Sequence, residues 1–342
     1  MRIALDVMGG DHAPHATLAG AIGALDSLAD DDELILVGDE TVIGRTLETE
    51  GISDDRLRIV GSSNEIEMDE SPVEAVRSKP ESSIVQLANM AGRKADTPVD
   101  VIISAGNTGA CVSAAQMFLR RLPGVHRPGI AVTVPTFGGP VVLCDVGANP
   151  VPRALHLWQY GIMADLYARE ELGVKNPRVA VLNIGGEEAK GTGMVKETRN
   201  LLRDTPGINY VGYIEGRDLF NHAADVVVTD GFVGNVVLKL SEGLAAALFK
   251  AIGREIASFD LELAKKYEPI VRSIYAKHDY HEFGGAPLLG VNGVCVICHG
   301  SSEARTITNA IRNSRKMVSH GLNQAIVERL AEIEQEAPTN EG

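Results

Sequence analysis

Short runs of apolar, largely β-branched residues recur along the chain. They repeatedly run into a loop of Gly, Asn, Asp or Ser and then into a segment whose apolar positions have helical spacing. Their near-continuous apolarity predicts strands covered on both faces, and the alternation with helices predicts parallel strands joined by crossovers. The predicted strands are Ile3–Val7, Leu34–Val37, Leu57–Val60, Val99–Ser104, Ile130–Val134, Val141–Cys144, Val179–Asn183, Tyr210–Ile214, Val226–Thr229 and Val294–Cys298. The spacing predicts helices over Pro14–Ser27, Ser71–Arg77, Thr108–Arg121, Pro152–Glu171, Lys190–Leu202 and Ser301–Ser319.

One region breaks this rhythm. Leu240, Leu244, Leu248, Ile252 and Ile256 recur every fourth residue, and Leu263, Tyr267, Ile270, Val271 and Ile274 follow with no strand between. Residues 236–280 therefore read as an αα-hairpin projecting from the sheet, with Lys250, Arg254, Lys265, Lys266, Arg272 and Lys277 beside the apolar stripe. A dimer interface, a core helix pair and a membrane-surface contact are all served by such a pattern. The expected organisation is one α/β/α catalytic unit over residues 1–332, followed by a flexible acidic tail over 333–342.

Composition narrows the function. With 342 residues, 44% of them hydrophobic and 23% charged, the chain can bury a substantial core. Aromatics make up only 4% and the formal net charge is −14, which argues against a nucleic-acid partner. An acidic partner has to meet a local basic patch. The opening residues have no secretory apolar core or cleavage site, and no run reaches about 18 uncharged apolar residues, so the expectation is a cytoplasmic protein with at most peripheral membrane contact. Four cysteines in a chain of this length fit reduced thiols better than a disulfide framework.

Candidate chemistry gathers in six glycine-containing loops, each after a predicted strand. They are Met8–Pro14, Ala105–Ala110, Asp145–Pro150, Gly185–Thr192, Asp230–Asn235 and His299–Ser302. Parallel sheets bind ligands at the carboxyl ends of their strands, where glycine admits close approach of backbone N–H groups and helix N-termini favour anions. Gly, Asn, Ser and Thr donors with one lysine suit a compact anion and a developing oxyanion, so the six loops are expected to build one anion site. A glycine at a strand-to-helix turn is also common for conformational reasons alone. No G-x-x-x-x-G-K-[ST] loop, dinucleotide fingerprint or G-x-S-x-G elbow is present, which demotes nucleotide cofactors and a serine nucleophile.

Other signals are weaker. Cys295-Val296-Ile297-Cys298-His299 spells a haem-attachment pattern, but on an apolar strand whose two thiols should face opposite sides of the sheet, and no second Cys/His pair completes a zinc site. Arg305, Arg312, Arg315 and Lys316, and separately Arg120, Arg121 and Arg127, form basic clusters that are either solvated faces or docking points for an acidic carrier. His12, His15 and His299 flank the glycine loops, where shaping the loop by a hydrogen bond is their default role.

Taken together, Ala4–Pro14, Ser104–Ala110, Asp145–Asn149, Asn183–Gly185 with Glu187, Glu188, Lys190 and Gly191, Thr229–Phe232 with Gly234 and Asn235, and His299–Ser302 resemble the motifs of the bacterial phosphate acyltransferases of the PlsX family, in order over residues 1 to about 320. The resemblance implies a three-layer α/β/α fold with a mostly parallel sheet, like phosphotransacetylase and isocitrate dehydrogenase. It also implies a homodimer without metal or cofactor, peripheral at the inner face of the cell membrane. The implied reaction moves a fatty acyl group from acyl carrier protein to inorganic phosphate, giving acyl phosphate for phospholipid synthesis and for a downstream membrane glycerol-phosphate acyltransferase. By this resemblance Lys190 and Asn235 hold the catalytic positions. The expected phosphate or substrate ligands are Asp6, Gly9, Gly10, Asp11, Ser104, Asn107, Thr108, Asn149, Asn183, His299 and Ser301. A phosphotransacetylase-like enzyme using acyl-coenzyme A, and a non-catalytic membrane-surface scaffold, stand as alternatives.

Overall fold

The structure is a computed structural model and describes residues 1–136, 138–277 and 283–336. In chain order the first half comprises β1 (Arg2–Asp6), α1 (His15–Ala24), β2 (Glu33–Gly38), α2 (Glu40–Thr49), β3 (Leu57–Gly61), α3 (Pro72–Ser78), α4 (Ser83–Met90), β4 (Val101–Ser104) and α5 (Thr108–Phe118). Next come β5 (Gly129–Thr136), β6 (Gly139–Cys144), α6 (Ala154–Glu170), β7 (Arg178–Leu182), α7 (Gly193–Arg203), β8 (Asn209–Ile214) and β9 (Val226–Val228). The chain finishes with α8 (Gly231–Phe259), α9 (Leu261–Lys277), β10 (Ala286–Leu289), β11 (Val294–Ile297), α10 (Ala304–Ser319) and α11 (Leu322–Glu336). All ten predicted strands are present. Polar side chains stop the strands and start the helices: Asp39, Asn107, Thr192 and Asp230 each accept an N–H from the first turn of α2, α5, α7 and α8.

The described strands form one sheet in the order β3-β2-β1-β4-β11-β10-β5-β6-β9-β7-β8. The first five in this order are mutually parallel, as are the last four. Between them β10 runs antiparallel to both β11 and β5, and β5 runs antiparallel to β6. Three reversals therefore leave the two parallel halves pointing in opposite directions. This corrects the expectation that all six glycine loops share one edge: the loops after β1, β4 and β11 lie at one edge of the sheet, and those after β6, β7 and β9 at the other.

Alternate strand residues separate two cores. Ile3 and Leu5 of β1, Val142 and Cys144 of β6, and Val226 and Val228 of β9 face α1, α6, α10 and α11. Ala4, Leu143 and Val227, one residue out of phase, face α3, α4 and α5 and the start of α8. Each Leu or Ile removed from water in this way contributes about 1.5–3 kcal/mol. The three-layer α/β/α arrangement follows from strands apolar on both faces. Gly20 lets α10 pack closely on α1: a Cβ there would stand 2.5 Å from the Ile307 Cβ, and Thr308 Oγ1 donates to Gly20 O at 2.9 Å. The last helices are thereby tied to the first. α11 runs to Glu336 with Ile333 in the core, so the expected tail does not begin at 333; residues 337–342 lie outside the described residues.

α8 and α9 form the expected projecting hairpin, of which residues 278–282 lie outside the described residues. α8 begins inside the protein, with Gly231 and Gly234 buried, and then leaves it: Leu240, Leu244, Leu248 and Ile252 are all exposed.

Candidate active site

At the first edge the loops after β1, β4 and β11 touch. A Cβ on Gly9 would stand 2.7 Å from the Gly106 nitrogen, and one on Gly10, whose φ is +113°, would stand 3.1 Å from Gly300 O and 3.2 Å from the Ala105 Cβ. Only glycine fits between these loops. Asp6 sits fully buried beneath them. One of its oxygens accepts the Met8 and Gly9 N–H groups, both at 3.1 Å, and the other accepts Ser104 Oγ at 2.7 Å. Burial pushes the Asp6 carboxyl above its ordinary pKa, and these hydrogen bonds pull against that rise. Ser104 Oγ in turn accepts the Gly106 N–H at 3.1 Å.

Several predicted ligands are therefore occupied. Asp6, Ser104 and the Gly9 N–H hold one another, and the Asp11 N–H donates to Gly300 O at 2.7 Å. Asn107 caps α5 through Oδ1, which accepts from Ala110 N at 3.0 Å, while its Nδ2 donates to Glu67 O at 3.0 Å. The expectation that Asp6, Ser104 and Asn107 bind phosphate directly is thus corrected: they build the loops. Among the described residues the N–H groups of Gly10 and of the first turn of α5, on Thr108 and Gly109, make no hydrogen bond. A cleft of about 230 Å³ beside Gly9 and Gly10 is lined by Asp6, Asp11, Glu65 and Glu67. Burial and repulsion from Glu67 and Asp6 raise the Glu65 pKa, so this cleft itself disfavours an anion.

The second edge repeats the design. Asp145, also fully buried, accepts N–H groups from Ile130, Gly147, Ala148 and Asn149 at 2.7–3.2 Å, and burial raises its pKa against these bonds. Asn149 is buried and its Nδ2 donates to Pro128 O at 2.7 Å, so it too is part of the scaffold rather than a free ligand. Gly231 N–H donates to Asn149 O at 2.9 Å, and Gly234 lies so close to Asp145 that a Cβ would approach Asp145 O to 1.9 Å. This seating fixes Asn235, half-buried in the second turn of α8. Its side-chain amide makes no hydrogen bond among the described residues.

β9 lies between β6 and β7, so the loops after them stand side by side, about 5 Å from strand to strand. In the loop after β7, Asn183 Nδ2 donates to Gly185 O at 3.0 Å. A Cβ on Gly185 would meet the Lys190 stem at 2.5 Å, so glycine lets the lysine fold back over the loop. Lys190 precedes α7 rather than starting it, and its Nζ pairs with Glu187 at 2.9 Å. That pair is exposed and contributes little to stability, while the bond to Lys190 draws the Glu187 pKa down. Ile184, Phe232 and Val236 at this edge are exposed apolar residues.

The two edges are joined by α8. It starts against Asp145 and Asn149, packs Val237 and Leu238 on the sheet, and brings Lys239 Nζ to 3.2 Å from His299 Nε2 at the first edge. Eight residues of helix span about 12 Å. His299 Nδ1 lies 2.7 Å from Ser301 Oγ. Sequence reading found His299 and Ser301 but missed Lys239, which stands in a helical apolar stripe with no glycine beside it.

The remaining signals resolve simply. Cys295 packs in one core and Cys298 in the other, on opposite faces as expected, and all four cysteines are buried and free. Burial raises the Cys298 thiol to about 12, so it is inert near neutral pH. Arg315 is taken by Asp32 at 2.9 Å and Arg312 by Gly23 O at 3.4 Å, which leaves less of that cluster to a partner.

Comparison with known proteins agrees with this architecture. A family model described as "Fatty acid synthesis protein" matches residues 1–325. A phosphate acyltransferase of Dictyoglomus turgidum is 42% identical over 336 residues, covering 97% of this chain and 98% of that protein. One from Desulfitobacterium hafniense is 44% identical over 333 residues, covering 96% and 98%. In fold the chain is similar to a phosphotransacetylase from Streptococcus pyogenes, with a TM-score of 0.59, 15% identity and coverage of 93% and 94%. A branched-chain phosphotransacylase from Enterococcus faecalis gives a TM-score of 0.54 at 14% identity, with coverage of 93% and 99%. Matched almost end to end and at more than two residues in five by its relatives, the chain belongs to the phosphate acyltransferase family.

Proposed function

We propose that the chain transfers a fatty acyl group from the thioester of acyl carrier protein to inorganic phosphate, forming an acyl phosphate for phospholipid synthesis. Membership of the phosphate acyltransferase family supports acyl transfer to phosphate; the carrier protein as donor is our own step. The observation that carries the reading is the seating of Lys190 and the unbonded Asn235 amide after the neighbouring strands β7 and β9 at one edge, beside exposed Ile184, Phe232 and Val236.

Phosphate is already a nucleophile near neutral pH, so the protein has mainly to position it and to manage charge. A phosphate oxygen attacks the thioester carbonyl carbon, the carbon–sulfur bond breaks, and its electron pair leaves on sulfur. The Asn235 amide donates to the carbonyl oxygen as it becomes an oxyanion. Lys190, free to leave its exposed pair with Glu187, stabilises the departing thiolate.

A basic group at the same edge supports an acidic carrier as donor. Burial lowers the His156 pKa, and Arg127, His126 and Arg153 around it lower it further, which reports positive charge gathered beside the Asn149 loop. Complementary charge of this kind speeds encounter and selects partners. Steady-state assays with palmitoyl carrier protein and palmitoyl-coenzyme A, trapping acyl phosphate with hydroxylamine, test the donor. The carrier thioester should give the higher kcat/KM, and Arg127→Glu with Arg153→Glu should cut it roughly tenfold or more; equal turnover of the coenzyme A thioester, unaffected by the substitutions, would return the acyl-coenzyme A reading. With neither donor yielding hydroxamate, a non-catalytic scaffold would stand.

We propose further that the protein is a cytoplasmic homodimer that rests on the inner membrane surface and passes acyl phosphate to a membrane acyltransferase. α8 is long and apolar enough to cross a bilayer by composition, yet its first turns are packed on the sheet and Lys250 and Arg254 interrupt the remainder. Its exposed Leu244, Leu248 and Ile252 suit a surface contact with a second copy or with lipid.

A further inference from the structure

We infer that Lys239 binds and orients the phosphate acceptor beside His299 Nε2; this rests on the acyl-transfer reading above. The first edge offers the open N–H groups of Thr108 and Gly109, but its cleft is lined by Asp6, Glu65 and Glu67, so an anion held there needs a cation close by. Lys79 is paired with Glu70 at 2.5 Å, and Lys190 stands at the opposite edge, paired with Glu187. Lys239 is exposed and makes no ion pair with a carboxylate among the described residues.

Its geometry is defined on both sides. Lys239 follows Asn235 by four residues on α8, so the two share a helix face about 6 Å apart along the axis. Lys239 Nζ stands 3.2 Å from His299 Nε2. Ser301 N–H donates to Nδ1 at 3.2 Å and Ser301 Oγ lies 2.7 Å from the same nitrogen, so Nδ1 accepts and Nε2 carries the ring proton. Two donors, the ammonium and Nε2–H, thus face each other with no acceptor between them among the described residues, an arrangement that an anion completes. Phosphate bound there lies between the first edge and the Asn235 amide, so Lys239 and Lys190 divide the work: one holds the acceptor, the other meets the leaving thiolate.

The test varies phosphate in the hydroxamate assay for wild type, Lys239→Met, Lys239→Arg and His299→Gln. Lys239→Met should raise the KM for phosphate at least tenfold while the KM for the acyl donor stays within twofold. Lys239→Arg should restore most of the loss. His299→Gln should give a smaller rise, since it removes only the second donor. An unchanged phosphate KM in folded Lys239→Met, or a rise confined to the donor KM, would overturn the assignment. Should wild type make no acyl phosphate, the reaction reading fails by itself. Lys239 is then judged by the rise in Tm that added phosphate produces: lost in Lys239→Met, the site stands; absent in wild type, it falls.

Discussion

Asp6 and Asp145 hold equivalent posts, one at each edge of the sheet. Each is a buried carboxylate at a strand end whose oxygens gather N–H groups from the loop that follows. Such residues look like ligands in a sequence, because Asp, Asn and Ser beside glycine are also what an anion site needs. Only packing reveals that Asp6, Ser104, Asn107 and Asn149 have already met their hydrogen-bond partners within the protein. Lys190 and Asn235 are different: one is in an exposed pair and the other is unbonded. Under the proposed mechanism, Asn235→Ala removes the oxyanion donor and should lower kcat about 10²–10³-fold. Lys190→Ala should lower kcat with little change in the KM for phosphate, since Lys239 holds the acceptor. Circular dichroism of both variants should match wild type; near-normal kcat in either would remove that residue from the mechanism.

At the scale of elements, apolarity and loop spacing made ten strands and the projecting hairpin legible in advance. β10 was not, for clear reasons. It is four residues long, contains Pro287 and is bounded by Gly285 and Gly290, all of which read as a turn. Its antiparallel run, with the β5–β6 reversal, turns one expected cluster of loops into two. α2, α4 and α11 were also unassigned; α2 buries only Ile43, which leaves no apolar stripe to read. The hairpin carries its own prediction. Leu248→Glu and Ile252→Glu should reduce sedimentation with anionic liposomes several-fold while turnover of soluble donor persists. Unchanged sedimentation with a shift from dimer to monomer in light scattering would assign the face to a second copy instead.

For the molecule as a whole, the two halves of the sheet are each anchored by charge at the ends away from their loops. In the second half Asp225, at the start of β9, accepts Arg178 N at 2.7 Å, Nε at 3.0 Å and Nη2 at 3.1 Å, joining β9 to β7. Burial acts to raise the Asp225 pKa, but the bonds to Arg178 and the nearby His222 hold it below its ordinary value. A depressed carboxylate pKa stabilises the fold above the unfolded value, about 3.9, and that contribution fades as pH falls through the lower folded value. Asp225→Asn should therefore cost about 1.5–3 kcal/mol at pH 7, with Arg178 partly exposed favouring the lower figure. The difference in Tm from wild type should shrink as the pH drops below about 4; an equal difference at pH 7 and pH 3 would contradict the assignment.

The fold class was legible because parallel strands apolar on both faces admit few arrangements. The family was legible because its loop motifs appear in order along the chain. The division of the site between two edges was not, since strand direction depends on pairings that no local pattern records. α8 reconnects those edges, and the central claim is that phosphate held between them attacks an acyl carrier protein thioester. The most direct measurement is mass spectrometry of the product formed from palmitoyl carrier protein and phosphate labelled with oxygen-18 at every position. Palmitoyl phosphate carrying all of the label is the predicted product; free palmitate, with no labelled acyl phosphate before it, would contradict the account.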